Sequence, residues 1–171
     1  DHDLVVVAAH NRAHVPLGLA AIAAGLPVVI DKPVAPSVEA AERLAAAARA
    51  AGVPVVPYHN RRWDGDFLTV RRLLDAGELG EVLRYESRFE RWRPTRRPGA
   101  RREQPGPDEA GGVLFDLGTH LIGQALTLFG PVVAAYAEIE TRQPHLAVDD
   151  DDFLALTHAS GVRSHLCASH V

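Results

Sequence analysis

The sequence predicts an α/β layer built on a parallel sheet, followed by an α+β unit with an open, mostly antiparallel sheet. Three observations carry that reading. Up to residue 59, short valine-rich runs alternate with alanine-rich stretches of helical length, the pattern of β-α-β-α-β. Beyond residue 60 the apolar runs lengthen, alternate and mostly follow one another without an intervening helix, which favours antiparallel pairing. The 171 residues, 47% of them hydrophobic, can bury a real core in one or two compact domains. We therefore divide the chain into 1–59 and 60–171.

Leu4 to Ala9 is an apolar, valine-rich run, the signature of an interior parallel strand covered on both faces. His10-Asn11-Arg12-Ala13-His14 reads as the loop at its carboxyl end, and Pro16 as the first turn of a helix that Gly25 stops. Val28-Val29-Ile30 is a second interior strand that runs into Asp31-Lys32-Pro33. Ligands of open α/β sheets bind at the carboxyl ends of strands, and Pro33 restricts Lys32 to extended backbone at that rim. Ser37 caps an alanine-rich helix ending at Gly52. Val53 to Pro57 is a third strand whose prolines confine it to an edge or to its ends. Right-handed crossovers join the three strands into one parallel layer, half of a doubly wound nucleotide-binding domain.

In the second part, Asp66 is placed to cap a helix striped by Phe67, Val70 and Leu74 and closed by Gly77. Strands are expected over Val82 to Trp92, Val132 to Thr141, Phe153 to His158 and Val162 to His170. A Pro/Arg/Gly segment from Arg93 to Pro107 leads to a helix that begins near Val113. On that helix Leu114, Leu117, Leu121, Ala125 and Leu128 share an apolar stripe, while Asp116 and His120, spaced i, i+4, lie side by side on one flank. A surface ion pair and a functional pair both fit that spacing. Gly111-Gly112 before the pair and Gly118 within the helix point to something that must approach closely there.

Composition excludes several classes. A net charge of -4 gives no general attraction to nucleic acid or anionic membrane, and no apolar run approaches the ~20 residues of a membrane span. Cys167 is the only cysteine, which rules out an internal disulfide and suits a reducing compartment; a soluble, cytoplasmic protein is expected. Arg84, Arg88, Arg91, Arg93, Arg96, Arg97, Arg101 and Arg102 form a basic segment. Its loop-like composition reads as a mobile flap near a substrate cleft. Asp149 to Asp152 lacks the ligand spacing of an EF-hand and reads as a solvated turn. The scattered histidines offer no zinc site, so no metal is expected. The chain has no methionine and opens on an apolar strand; we read it as a piece of a longer polypeptide whose missing part lies upstream.

Three motifs, in order, carry a family resemblance. Val28 to Pro33 resembles the Glu-Lys-Pro strand end of the Gfo/Idh/MocA oxidoreductases. Gly111-Gly112 followed by Asp116-Leu117-Gly118-Thr119-His120 resembles their Gly-Gly…Asp-x-Gly-x-His helix. His59-Asn60-Arg61-Arg62-Trp63-Asp64 through Gly77-Glu78-Leu79-Gly80-Glu81-Val82 is similar to the segment that links them. The likeness covers essentially the whole chain. Arg91 to Pro107, with the segment at 59–63, resembles a branch containing scyllo-inositol dehydrogenases.

The resemblance implies a Rossmann domain for NAD or NADP and a substrate domain whose sheet forms a homo-oligomer. It also implies a lysine, aspartate and histidine that act together, here Lys32, Asp116 and His120, on a carbinol of a cyclic polyol or sugar. Their convergence on one small volume is the expectation on which that reading rests. It further implies cofactor contacts from Ala9, His10, Asn11 and His14, from Asp31, Lys32 and Pro33, and from Asn60 and Arg61. Asp31 departs from the usual glutamate, and Gly123 stands where many relatives carry an acid. No Gly-x-Gly-x-x-Gly sequence occurs, so NAD and NADP are not distinguished, and this stretch alone is expected to bind dinucleotide poorly and be inactive. The alternative is a non-catalytic dinucleotide sensor of the same fold.

Overall fold

The computed structural model describes residues 2–95 and 109–171. Most of the expected flap over Arg93 to Pro107 lies outside the described residues. The chain divides into two compact units: Asp1–His59 with Gln104–Gly111, and Asn60–Glu103 with Gly112–Val171.

In the first unit β1 (Val5–Val7), β2 (Val28–Asp31) and β3 (Val55–Tyr58) form a parallel sheet in the order β1-β2-β3. The connecting helices are α1 (Asn11–Ala23) and α2 (Val38–Ala51). Val7, Val28 and Ile30 from the strands meet Val15 and Ile22 of α1 and Leu44 and Ala48 of α2 in one core. Two right-handed crossovers that advance in the same direction put both helices on the same face. Within these residues the opposite face of the sheet carries no helix, and Val6 is 63% exposed and Val56 49%.

Ser37 Oγ accepts from Ala40 N at 3.2 Å and Gly52 closes α2 in the left-handed region, as the sequence implies. Helix α1 differs. It begins at Asn11, so Pro16 lies in its second turn and the residues expected as a loop form its first. Pro16 leaves the Arg12 carbonyl without its helical donor, and tertiary bonds from Asn11 and His14, described below, hold that turn.

Gly18 lets α1 settle onto the sheet. A Cβ at this position would lie 2.8 Å from Ile30 Cδ1 and 2.9 Å from Leu44 Cδ2, both side chains fully buried. Gly18→Val is therefore expected to destabilise the unit by about 1–3 kcal/mol through overpacking. Urea denaturation of the intact polypeptide measures this, and an unshifted midpoint would mean that the helix retreats without cost.

The second unit opens with a 3-10 turn, Asn60–Trp63, and α3 (Gly65–Asp75). Asp64, not Asp66, stands at the cap position, and its carboxylate is taken by Arg61 Nη1 at 2.8 Å instead of capping. The sheet runs β4-β7-β6-β5, from β4 (Arg84–Glu90), β5 (Val132–Glu140), β6 (Asp151–His158) and β7 (Arg163–Ser169). The β5-β6-β7 ladders are antiparallel as expected, but β4 pairs with β7 in parallel. A long crossover containing a helix separates those two strands, which allows the parallel pairing.

Alternate residues of β6 are buried: Asp152, Leu154, Leu156 and His158. Leu154, Leu156, Leu166 and Ala168 pack against Leu117, Leu121 and Ala125, each leucine worth roughly 1.5–3 kcal/mol of burial. The first half of the basic segment is no cationic patch. Arg84 pairs with Glu86 at 3.6 Å and Arg88 with Glu90 at 3.1 Å along β4.

The helix expected near Val113 has two parts, a π turn over Leu114–Gly118 and an α-helix, α4, over Thr119–Phe129. π turns are short and recur at functional sites. The run Asp149–Asp152 is not a solvated turn either. Asp150 is fully buried and Asp152 is 3% exposed.

Candidate functional site

In the first unit the parallel strands bring their carboxyl ends to one rim. Asp31 ends β2, and its Oδ1 accepts from Lys32 N at 2.9 Å. The carboxylate thus steadies the backbone from which the half-buried Lys32 side chain leaves. The Lys32-Pro33 peptide is cis and Pro33 is buried.

His14, 1% exposed, stands behind this rim. Its Nδ1 lies 2.7 Å from the Pro33 carbonyl and its Nε2 3.1 Å from the Ala9 carbonyl, so the ring bridges the ends of β1 and β2. Both nitrogens are occupied by main chain, which gives His14 the form of a positioning residue instead of a ligand contact.

Asn11 Nδ2 donates to the Glu109 carbonyl at 2.8 Å and the Ala110 carbonyl at 3.2 Å, and Arg12 reaches Glu109 at 3.4 Å. His10 is half-buried at the cap of α1, while Ala8 and Ala9 leave the rim beside β1 open.

In the second unit Asp116 is 8% exposed and His120 6%. A surface ion pair is thereby excluded. The π turn carries Asp116, and the first turn of α4 carries His120. Two of the three glycines read as making room for a partner, Gly112 and Gly118, make room for the chain itself. A Cβ on Gly112, at φ 93°, would overlap the Asp149 carboxylate, and one on Gly118 would meet Leu114 Cδ1 at 2.9 Å.

Arg61 sits with its guanidinium over the Phe89 ring at 4.5 Å, paired to Asp64, and its carbonyl accepts from Gln124 Nε2 of α4 at 3.2 Å. Arg91 lies over the same ring at 4.8 Å. Asn60 is exposed and begins the 3-10 turn. The Arg61 side chain that the resemblance offers to a cofactor is thus also a fixed part of this unit.

Sequence reasoning missed His170, just beyond β7. Burial first, and Arg93 second, hold its imidazole below the usual histidine range, while the charge of Asp116 pulls the other way. Its Nε2 is buried and has no hydrogen-bond partner among the described residues. Nothing near His170 in sequence signals this; the parallel β4-β7 pairing places Arg93 there through Arg93 N to the His170 carbonyl, 3.0 Å. Asp149 and Asp152 were also missed, although a signal existed. Asp152 shares the parity of Leu154 and Leu156 along β6, which puts it on the buried face. Among the described residues no cluster of three or more acidic, histidine or cysteine side chains could hold a metal.

Comparison with known proteins agrees with this fold. Residues 1–59 match the model of the oxidoreductase family with an NAD-binding Rossmann fold, and residues 67–171 match that of the GFO/IDH/MocA C-terminal domain. The uncharacterized oxidoreductase YdgJ of Escherichia coli is 44% identical over 142 residues, 83% of this chain and 40% of its own. The scyllo-inositol 2-dehydrogenase (NADP(+)) IolW of Bacillus subtilis is 38% identical over 157 residues, 91% of this chain and 43% of its own. The chain thus spans less than half the length of these relatives.

Among solved structures, an NAD-binding protein from Listeria innocua superposes with TM-score 0.88 at 28% identity, covering 98% of this chain and 49% of that one. An oxidoreductase from Bacillus cereus gives TM-score 0.84 at 31% identity, with 98% and 48% covered. No helix among the described residues is long and apolar enough to cross a membrane. With one domain model matched before residue 60 and the other after it, the chain belongs to the Gfo/Idh/MocA family of oxidoreductases.

Proposed function

We propose that this chain forms part of an NAD(P)-dependent dehydrogenase that oxidises a carbinol of a cyclic polyol or sugar. The observation that carries the reading is the burial of Asp116, on a π turn, together with His120, in the first turn of the helix that continues it. Ionisable side chains are costly to bury unless they are paired or used, and a π turn interrupts an otherwise favourable helix. Support for the substrate class comes from the names of two relatives: IolW, and inositol 2-dehydrogenase 2 of Saccharopolyspora erythraea, 33% identical over 164 residues.

In this reading His120 takes the hydroxyl proton as hydride leaves the carbinol carbon. A histidine suits the step because its ordinary pKa lies near working pH. Asp116 orients the imidazole and stabilises its charged form, and Lys32 hydrogen-bonds the substrate oxygen. Ala9, His10 and Asp31 to Pro33 line the rim that would hold the dinucleotide, which supplies the hydride acceptor when bound. His14 keeps the two strand ends together.

Steady-state assays of the intact polypeptide with NAD and NADP against inositols and hexoses test this. The expected result is reduced cofactor formed with at least one polyol. Dinucleotide binding without turnover on any of them would instead favour the sensor reading. A sheet-mediated homo-oligomer belongs to the same proposal and is measured by light scattering.

A further inference from the structure

The helix that carries Asp116 and His120 lacks a cap of its own. Val113 occupies the cap position, and a valine offers no acceptor to the first N–H groups of a helix. Both are nevertheless bonded, and by one residue far along the chain. Val113 N donates to the Asp149 carbonyl at 3.1 Å, and Leu114 N donates to Asp149 Oδ2 at 2.8 Å.

The space for that carboxylate is reserved. Gly112, buried and at φ 93°, is the residue whose Cβ would overlap it. A negative side chain at this end also complements the helix dipole.

Asp149 is itself held firmly. The next residue, Asp150, is fully buried, and its carboxylate accepts from Arg142 N at 2.7 Å and Gln143 N at 3.1 Å. Its main chain is tied on both sides, Asp150 N to the Glu140 carbonyl at 2.9 Å and His170 N to the Asp150 carbonyl at 2.8 Å. The fastening therefore runs from β5 and the end of β7 through Asp150 and Asp149 into the turn that begins at Leu114.

We propose that Asp149 is a positioning residue for Asp116 and His120, fixing the π turn and the start of α4 to the sheet. The inference rests on the proton-transfer role proposed above for those two side chains. Asp149 acts through the helix, by its bonds to Val113 N and Leu114 N. A charge-assisted hydrogen bond to a helix N–H, together with the group left unpaired when it is removed, is worth a tenfold effect or more.

The test uses the intact polypeptide with Asp149→Ala and Asp149→Asn, since asparagine retains an oxygen for Leu114 N. Hydrogen exchange of the segment 113–120 is expected to quicken by ~10-fold or more in Asp149→Ala, with β6 and β7 still protected. The His120 ring, followed by NMR against pH, is expected to titrate differently, and kcat to fall ~10-fold while KM for the dinucleotide that supports turnover stays unchanged. Asp149→Asn is expected to restore all three.

Unchanged protection over 113–120 in Asp149→Ala would overturn the proposal, as would equal losses in both variants. If the alanine variant does not fold, Asp149→Ser replaces it, because its hydroxyl falls short of Leu114 N. If the wild type turns over no polyol, the proposed function fails, while exchange and the His120 titration still decide whether Asp149 positions the turn.

Discussion

His120→Ala is expected to lower kcat of the intact polypeptide by ~10²-fold or more, with dinucleotide affinity and fold retained. In the proposed role the buried imidazole accepts the carbinol proton, and alanine has no atom that could replace it. Its removal acts on the transition state and not on ground-state binding, so kcat and kcat/KM should fall together. Added imidazole is expected to recover part of the rate by occupying the space the ring vacates. Thermal unfolding of the variant provides the control, since loss of a side chain that is 6% exposed also leaves a void. A rate within a few-fold of wild type would remove His120 from the proton transfer.

The second large effect concerns stability and pH. Asp152 is 3% exposed on the inner face of β6, with Asp149 beside it and, among the described residues, only a main-chain hydrogen bond from Glu140 favouring its charged form. Burial, and then its hydrogen bond to and repulsion from Asp149, push its pKa up to about 8. Protonated, it donates to Asp149; ionised, it sets two carboxylates against each other.

The unfolded chain releases this proton near pH ~4, whereas the folded chain keeps it to about 8. Across that window the folded state binds more protons than the unfolded state. Stability therefore falls as pH rises through that window and levels off above the folded pKa. Asp152→Asn keeps a donor for Asp149 without the titration. Its advantage over wild type in urea should grow steadily from pH 5 to pH 8. Parallel pH profiles for the two proteins would show that Asp152 is ionised throughout.

The elements that the sequence disclosed are those set by local rules. Ser37 and Gly52 bound α2 because a hydroxyl and a left-handed residue act within one turn. The strands were visible in their runs and alternation, and β6 obeys its alternation from Asp151 to His158. The two motifs of the candidate site were legible as well, because Asp31-Lys32-Pro33 and Asp116 to His120 are contiguous stretches.

What escaped depended on partners distant in sequence. The start of α1 was misplaced because Asn11 and His14 are anchored by carbonyls of Glu109, Ala110 and Pro33. The π turn was read as regular helix because nothing in periodicity reports an inserted residue. Gly112 was taken for a ligand's clearance, and Asp149 to Asp152 for a solvated turn; each is explained by the other. The parallel β4-β7 ladder was hidden because strand neighbours are chosen by packing.

By itself, then, the sequence determined a parallel β-α-β-α-β layer, a second sheet unit, and the residue types available for proton transfer at a strand end and on a helix. Only the tertiary structure decided that Asp116 and His120 are buried, that His14 joins two strand ends, and that Asp149 fastens the turn preceding His120. The physical reason is a matter of range. Propensity, capping and alternation are settled among residues a few positions apart, whereas burial and hydrogen-bond satisfaction of a polar group depend on which distant segment packs over it.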